Sequence, residues 1–316
     1  YWGKNLVRNF FEIGVLESVC DLNSINANSI SKKYGVPVKS FEEILNSPVD
    51  GIVIATEAKT HYDLALKSLK KNKNVFVEKP ISIEVKHANE LIKIADKHNS
   101  HLMVGHLLQY HPVFQKMKEI THSGQLGKVL SITSNRMSFG KIRNNENVIW
   151  SFAPHDISMI LSLVDSDICE IDCRATYLLN NKIADTASIA LTFKNMIKAQ
   201  INLSWLSPYK EQKIVVTGEK AIATFDDTLE WNKKLSISNY ELNNHDNKYE
   251  INRLKNDYIS VEESEPLKSE CEYFINLISS KVPPLTDGHE ALKVLEILSE
   301  AEMMQKKINN LIYPIF

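Results

Sequence analysis

An excess of charge of either sign is the first thing this sequence lacks. Its 37 Lys and Arg stand against 39 Asp and Glu, for a formal net charge of −2. No basic field is left to hold a phosphate polymer, so nucleic acid is not expected as a partner. Cysteine is scarce too: Cys20, Cys169, Cys173 and Cys271 form no C-x-x-C pair. Cys169 and Cys173 read as one face of a strand, roughly 13 Å apart, beyond disulfide reach. So few thiols suit a reducing compartment, and a cytoplasmic location is the expectation. No apolar run approaches the roughly 20 residues that a bilayer crossing needs, so no membrane partner is expected. There is no internal repeat. His106 and His111 have no carboxylate or cysteine at a metal-ligand spacing, which leaves metal out of the reading.

What is present is an ordinary globular composition, 43% hydrophobic and 24% charged, in 316 residues, enough for two domains. The first hundred residues alternate strand and helix. Helices are expected at 4–13, 25–34, 60–71 and 84–98, and strands at 16–20, 51–56, 74–78 and 101–105. Short apolar runs joined by helical crossovers call for a doubly wound parallel sheet covered on both faces.

The period then changes. A helix at 113–122 and a strand at 128–137 lead to a helix at 156–164. Long alternating segments follow, as in "IKAQINLSW" (197–205), where Ile197, Ala199, Ile201, Leu203 and Trp205 share a face. Alternation of this kind describes a large, mostly antiparallel, open-faced sheet. Helices at 267–280 and 289–309 close the chain, and the polar stretch 239–256 reads as an exposed excursion. The fold class is therefore α/β: a Rossmann-type domain over residues 1–105 and an α+β domain over 106–316. An open-faced sheet invites self-association, so a homodimer or homotetramer is expected.

Four stretches carry chemistry, and each has a plainer reading beside it. The opening "YWGKNLVRNF" fits the tail of a G-x-G-x-x-G loop. Gly3 would be its last glycine, where helix packs closely on strand, with Trp2 just before it. On that reading the first strand and the G-x-G stand immediately upstream of Tyr1. Asp21, at the next strand end, suits an acid that bonds the adenosine ribose and repels a 2′-phosphate. The plain alternatives are a turn at Gly3 and a cap at Asp21. Taken together they point to a dinucleotide, NAD in preference to NADP.

In "NVFVEKPIS" (74–82), a buried strand ends on Glu78, Lys79 and Pro80. Strand carboxyl ends border the ligand crevice of such sheets, and proline restrains the lysine backbone. Lys79 could then polarise a reacting oxygen, or simply form a surface ion pair with Glu78. "WSFAPHDIS" (150–158) sets His155 and Asp156 at an expected helix start. Histidine suits proton removal from an alcohol, while an acid there is ordinarily a cap. "SNRMSFGKIRNNENVIW" (134–150) offers Arg136, Lys141 and Arg143 to a diphosphate, or to solvent.

The combination of "IATEAKTHYDLA", "FVEKPIS", "APHDIS", "VVTGEKAIATFDD" and "PLTDGHEALKVLEIL" resembles the Gfo/Idh/MocA family over essentially the whole chain. That resemblance implies an NAD(P)-dependent oxidoreductase acting on a CH–OH group of a sugar or inositol. It implies catalytic roles for Lys79 and His155, and a cis Lys79–Pro80 peptide. Thr56, His61, Glu78, Pro80 and Gln109 would contact the cofactor, and Tyr110 the substrate. Two positions depart from the family's pattern: Ser151 where many relatives carry Asp, and Glu57 where proline is usual. The basic loop and "IRNNENVIWSFAPHDIS" look most like the branch that oxidises nucleotide-linked amino sugars. The expected substrate is UDP-N-acetylglucosamine-like, oxidised at its 3-hydroxyl and handed to an aminotransferase. The rivals are a free-sugar or inositol dehydrogenase and a non-catalytic dinucleotide-binding regulator.

Overall fold

The computed structural model describes residues 2–140, 142–143, 146–179, 182–245, 248–280 and 282–312. Its first elements are α1 (Gly3–Ile13), α2 (Ser24–Tyr34), α3 (Phe41–Leu45), β1 (Gly51–Ile54), α4 (Ala58–Lys70), β2 (Asn74–Glu78), α5 (Val85–His98) and β3 (Leu102–Gly105). A 3-10 turn at Leu107–Tyr110 leads to α6 (Pro112–His122), β4 (Val129–Phe139) and α7 (Val148–Leu163). Then come β5 (Ile168–Thr176), β6 (Thr186–Phe193), β7 (Lys198–Ser204), β8 (Leu206–Gly218), β9 (Ala221–Asp226), β10 (Leu235–His245) and β11 (Lys248–Tyr258). Helices α8 (Pro266–Ile278) and α9 (Gly288–Ile312) end the chain.

The chain divides into two compact units, Tyr1–Tyr110 with Ser264–Leu295, and His111–Glu263 with Glu296–Phe316. The first change of unit falls five residues beyond the expected 105. The return of 264–295 to the first unit was not visible in the sequence.

In the first unit β1, β2 and β3 form a parallel sheet in that order. The local signals explain its helices. Gly14 closes α1 in the left-handed region at φ 86°, donating its N–H to Phe10 and Phe11 carbonyls. Asn23 caps α2 by accepting from the N–H groups of Ile25 and Asn26. The core is aromatic: Phe10 meets Phe76 and Phe274 edge-on, at ring centroids 6.5 and 6.4 Å apart. Phe274 comes from α8, so the returning segment completes this core. One expected strand is absent. At residues 16–20 only Val19 pairs, in a single parallel bridge to Val38. Its N–H goes to Pro37 and its carbonyl to Lys39, and one bridge is too little ladder to make a strand.

The second unit carries an eight-stranded sheet in the order β11-β10-β9-β8-β4-β7-β6-β5. All its pairings are antiparallel except β4 with β7. The expected alternation is present: Ala187, Ile189, Leu191 and Phe193 of β6 are buried while their neighbours are half-exposed. The half-exposed face is a polar ladder rather than bare apolar surface. Gln200 Nε2 donates to Ser188, Asn202 Nδ2 to Asn135 Oδ1 (2.9 Å), and Asn135 Nδ2 to Glu211 Oε2 (3.0 Å).

Two further expectations are corrected here. The stretch 239–256, read as an excursion, pairs as the β10–β11 hairpin. The helix expected from residue 156 begins eight residues earlier, at Val148, because Asn147 accepts from the N–H groups of Ile149 and Trp150 and so caps it. Pro154 lies inside the helix.

Candidate active site

In the first unit, parallel pairing aligns the carboxyl ends of β1 and β2, which lead into Thr56 and Glu78-Lys79-Pro80. The Lys79–Pro80 peptide is cis. His61, 1% exposed, braces this corner. Its Nδ1 faces the Pro80 carbonyl at 2.7 Å and its Nε2 the Thr56 carbonyl at 3.1 Å. Thr56 itself bonds Thr60 through the two hydroxyls (2.7 Å). Glu57, where the family resemblance implies proline, has φ −73°, a value proline would impose. The loop therefore keeps a proline-like path without the ring.

Burial, and secondarily the charge of Lys79, push the His61 imidazole below its ordinary range. Its folded pKa lies below its unfolded one, so on acidification the unfolded chain takes up the proton first. Stability should therefore fall as pH drops through the ordinary imidazole range, by at most about 1.4 kcal/mol per pH unit for this one group. Denaturant titrations across that window should show a shallower slope for His61→Asn. An identical slope would remove His61 as the cause.

Glu78 is the acid end of the corner. Its Oε1 accepts the indole N–H of Trp2. Gly105 makes room for it: a Cβ there would stand 2.9 Å from Glu78 Oε2. Burial pushes the Glu78 carboxyl above the usual carboxylate range, with Trp2 and Lys79 opposing. Behind it lies Glu270 of α8, 1% exposed, with no hydrogen-bond partner for either oxygen among the described residues. Burial and then the charge of Glu78 raise its carboxyl well above the usual range. His106 Nδ1 meets Glu290 Oε2 at 2.6 Å in the same region.

The remaining sequence candidates of this unit are placed as follows. Asp21 is exposed and accepts the N–H of Asn23 (2.8 Å), the capping role that was its plainer reading. Gln109 is buried in the 3-10 turn. Tyr110 turns its hydroxyl inward. The Thr286 proton goes to the Val104 carbonyl (2.7 Å), so Tyr110 donates to Thr286 Oγ1 (2.9 Å). Its ring packs against Tyr273. The first unit thus uses that hydroxyl itself, which leaves the expected substrate contact with a competitor.

In the second unit, His155 is the eighth residue of α7 and half-buried. Asp156 is not a capping acid of the first turn, as the sequence suggested. It is 1% exposed and tied to β4. Asp156 Oδ1 accepts from Ser134 Oγ (2.6 Å) and Arg136 Nη2 (3.2 Å), and Oδ2 from Arg136 Nε (2.6 Å). A two-pronged guanidinium on a buried carboxylate fixes the turn of helix that carries His155. Ser151, one turn before His155, is buried. Arg143 pairs with Glu146, and Lys141 lies outside the described residues. His111 is an ordinary core histidine. Its Nδ1 caps α6 by accepting from Val113, and its ring stacks on Trp231. No group of three or more His, Cys, Asp or Glu residues could hold a metal among the described residues, and no described helix is long and apolar enough to cross a membrane.

With this geometry in hand, comparison with known proteins decides the family. Residues 4–106 match the Gfo/Idh/MocA oxidoreductase model, described as an NAD-binding Rossmann fold, and residues 114–224 match the family's C-terminal domain. The chain belongs to the Gfo/Idh/MocA family. It is accordingly an oxidoreductase that uses NAD and acts on CH–OH groups. Myo-inositol 2-dehydrogenase from Thermotoga maritima is 25% identical over 295 residues, 89% of this chain and 86% of that protein. UDP-N-acetylglucosamine 3-dehydrogenase from Acidithiobacillus ferrooxidans is 21% identical over 294 residues, 93% of this chain and 90% of that protein. A solved structure of the latter superposes with a TM-score of 0.86 at 20% identity, covering 98% of this chain and 96% of that one. A putative myo-inositol dehydrogenase from Sinorhizobium meliloti gives 0.79 at 23% identity, covering 96% and 94%.

The first unit fits the family's cofactor. No side chain caps the N-terminus of α1, and Gly3 stands near Ala55, whose Cβ a Gly3 Cβ would meet at an ordinary contact of 3.4 Å. The backbone at Trp2 and Gly3 is the candidate holder of the diphosphate of NAD, Asp21 the candidate for its adenosine ribose, and Thr56 a further candidate cofactor contact. Sequence reasoning missed Ser134 as an anchor, Glu270 as a buried acid and Glu290 as the partner of His106. Glu270 left one signal: it lies on the apolar stripe of α8, between Leu267 and Phe274, where a leucine is the expected residue.

Proposed function

We propose that this Gfo/Idh/MocA enzyme oxidises a secondary hydroxyl of a nucleotide-linked amino sugar, UDP-N-acetylglucosamine-like, at carbon 3. The product would be a 3-keto sugar fit for an aminotransferase. Bound NAD supplies the hydride acceptor. His155 takes the hydroxyl proton as the carbonyl forms, and Lys79 stabilises the developing alkoxide. The observation that supports this assignment best is the anchoring of Asp156 by Ser134 and Arg136, which presents His155 on a rigid turn. Ser151 carries no carboxylate, so here proton removal falls to His155 without an acid one turn before it.

A second reading, a free cyclitol such as myo-inositol, draws support from the ion pairs of Arg136 and Arg143 with Asp156 and Glu146. Guanidinium groups so engaged are less available to a diphosphate. The two readings separate in one assay: reduced-nicotinamide absorbance on mixing the full chain with NAD and either UDP-N-acetylglucosamine or myo-inositol. A rise with the nucleotide sugar alone, lost in His155→Ala, is expected. A rise with myo-inositol alone would overturn the first reading in favour of the second.

A further inference from the structure

The deepest polar anomaly in the first unit is the Glu270 carboxyl. A carboxylate in that position would be a buried charge without a partner, which proteins avoid by keeping the group neutral. Its neighbour on β2, Glu78, is held as an acceptor by the Trp2 indole, an arrangement that suits a carboxylate. Phe76 of β2 packs against Phe274 of α8 with ring centroids 5.7 Å apart, Glu78 stands two residues beyond Phe76 on the strand, and Glu270 stands one turn before Phe274 on the helix. A half-buried carboxyl and a fully buried, unsatisfied one so placed share a proton rather than ionise independently.

The surrounding charges bear on how readily that proton leaves. Lys79 follows Glu78 directly, and His106 adds to the field at Glu78. Glu290 holds His106 from α9. On α8, Glu265 is paired with Arg8 of α1 and therefore adds little. Cys271, Tyr110 and Tyr273 are the other titratable groups of the cluster, and burial pushes the first two upward, so they stay neutral near pH 7.

We propose that Glu78 and Glu270 form a two-carboxyl, one-proton pair that releases its proton to solvent when oxidised NAD binds, and keeps it when NADH binds. The inference rests on the reading that places Lys79 at the reacting end of the cofactor. The oxidised nicotinamide ring carries a positive charge and the reduced ring none, so only the former favours a second carboxylate beside it. Burial and mutual repulsion hold the pair's proton in the free enzyme. The consequence is a pH-dependent preference for the oxidised cofactor. Affinity for NAD rises with pH, by up to about tenfold per pH unit across the pair's titration, while affinity for NADH stays flat.

The test uses the full chain without any sugar. NAD or NADH is titrated in two buffers of different ionisation heat, and heat and proton release are read per mole bound. Release approaching one proton with NAD and none with NADH is expected. The infrared carbonyl band of a protonated carboxyl should disappear on NAD saturation and persist with NADH. Glu270→Gln, a neutral replacement for a neutral group, should lack both the band and the release. Equal release with both cofactors, none with bound NAD, or a band that survives NAD saturation would overturn the pair. The wild-type infrared result stands even where the variant fails to fold. Neither readout needs turnover, so a wrong sugar leaves this result intact, and a missing proton leaves the sugar assignment intact.

Discussion

Turnover in Lys79→Met should fall by roughly two to four orders of magnitude while the protein still binds NADH. The lysine ends β2 on a cis-proline corner that His61 braces from behind, tying two carbonyls of neighbouring strand ends. Its backbone is therefore held by elements that the substitution does not touch. On the proposed mechanism, what is lost is a positive charge beside the forming alkoxide, the kind of electrostatic contribution that side-chain removal exposes most clearly. Lys79→Arg should not restore the rate, because a broad planar guanidinium cannot occupy the place of a compact ammonium. Cofactor binding by fluorescence, set beside steady-state rates, checks both. Activity within tenfold of the parent in Lys79→Met would remove the lysine from the chemistry.

Asp156→Asn should damage the enzyme in two separable ways. The buried carboxylate is bonded to Ser134 and twice to Arg136, whose own side chain is 12% exposed. Neutralising it leaves a guanidinium enclosed without its counter-ion, at a cost of about 3–5 kcal/mol. Turnover should fall as well, by about a hundredfold, because the helical turn carrying His155 loses its tie to β4. The double variant Asp156→Asn with Arg136→Met removes both charges and should recover much of the stability. It should not recover the rate, since the tie is still missing. Denaturant unfolding and kcat measured on the same preparations separate the effects. A double variant that regains both would reduce the pair to a purely structural role, and the pH profile of kcat would then match the parent.

The sequence showed the architecture wherever one local rule decided it. Alternation marked β6 and β7, and "FVEKP" marked the strand end that carries Lys79. It misled where two local rules competed. His155 and Asp156 read as a helix start, yet Asn147 caps the helix a full two turns earlier, so His155 is mid-helix. Long-range pairs were invisible altogether. Arg136 reads as a phosphate ligand because its partner stands 20 residues away. The one local signal of Glu270, its place on the apolar stripe of α8, does not reveal that α8 returns to the first unit.

That return has a consequence for how such an enzyme can be cut and recombined. The matched dinucleotide-binding segment ends at residue 106, yet the aromatic face it builds with Phe10 and Phe76 is closed by Phe274, and Leu267, Cys271 and Leu277 lie beside it. A fragment truncated after residue 106 would leave that interior open to water and should aggregate rather than fold. The dinucleotide module is not a cassette. Gene fusions that keep it must carry residues 264–295 too, so two stretches far apart in the chain are inherited as a single part.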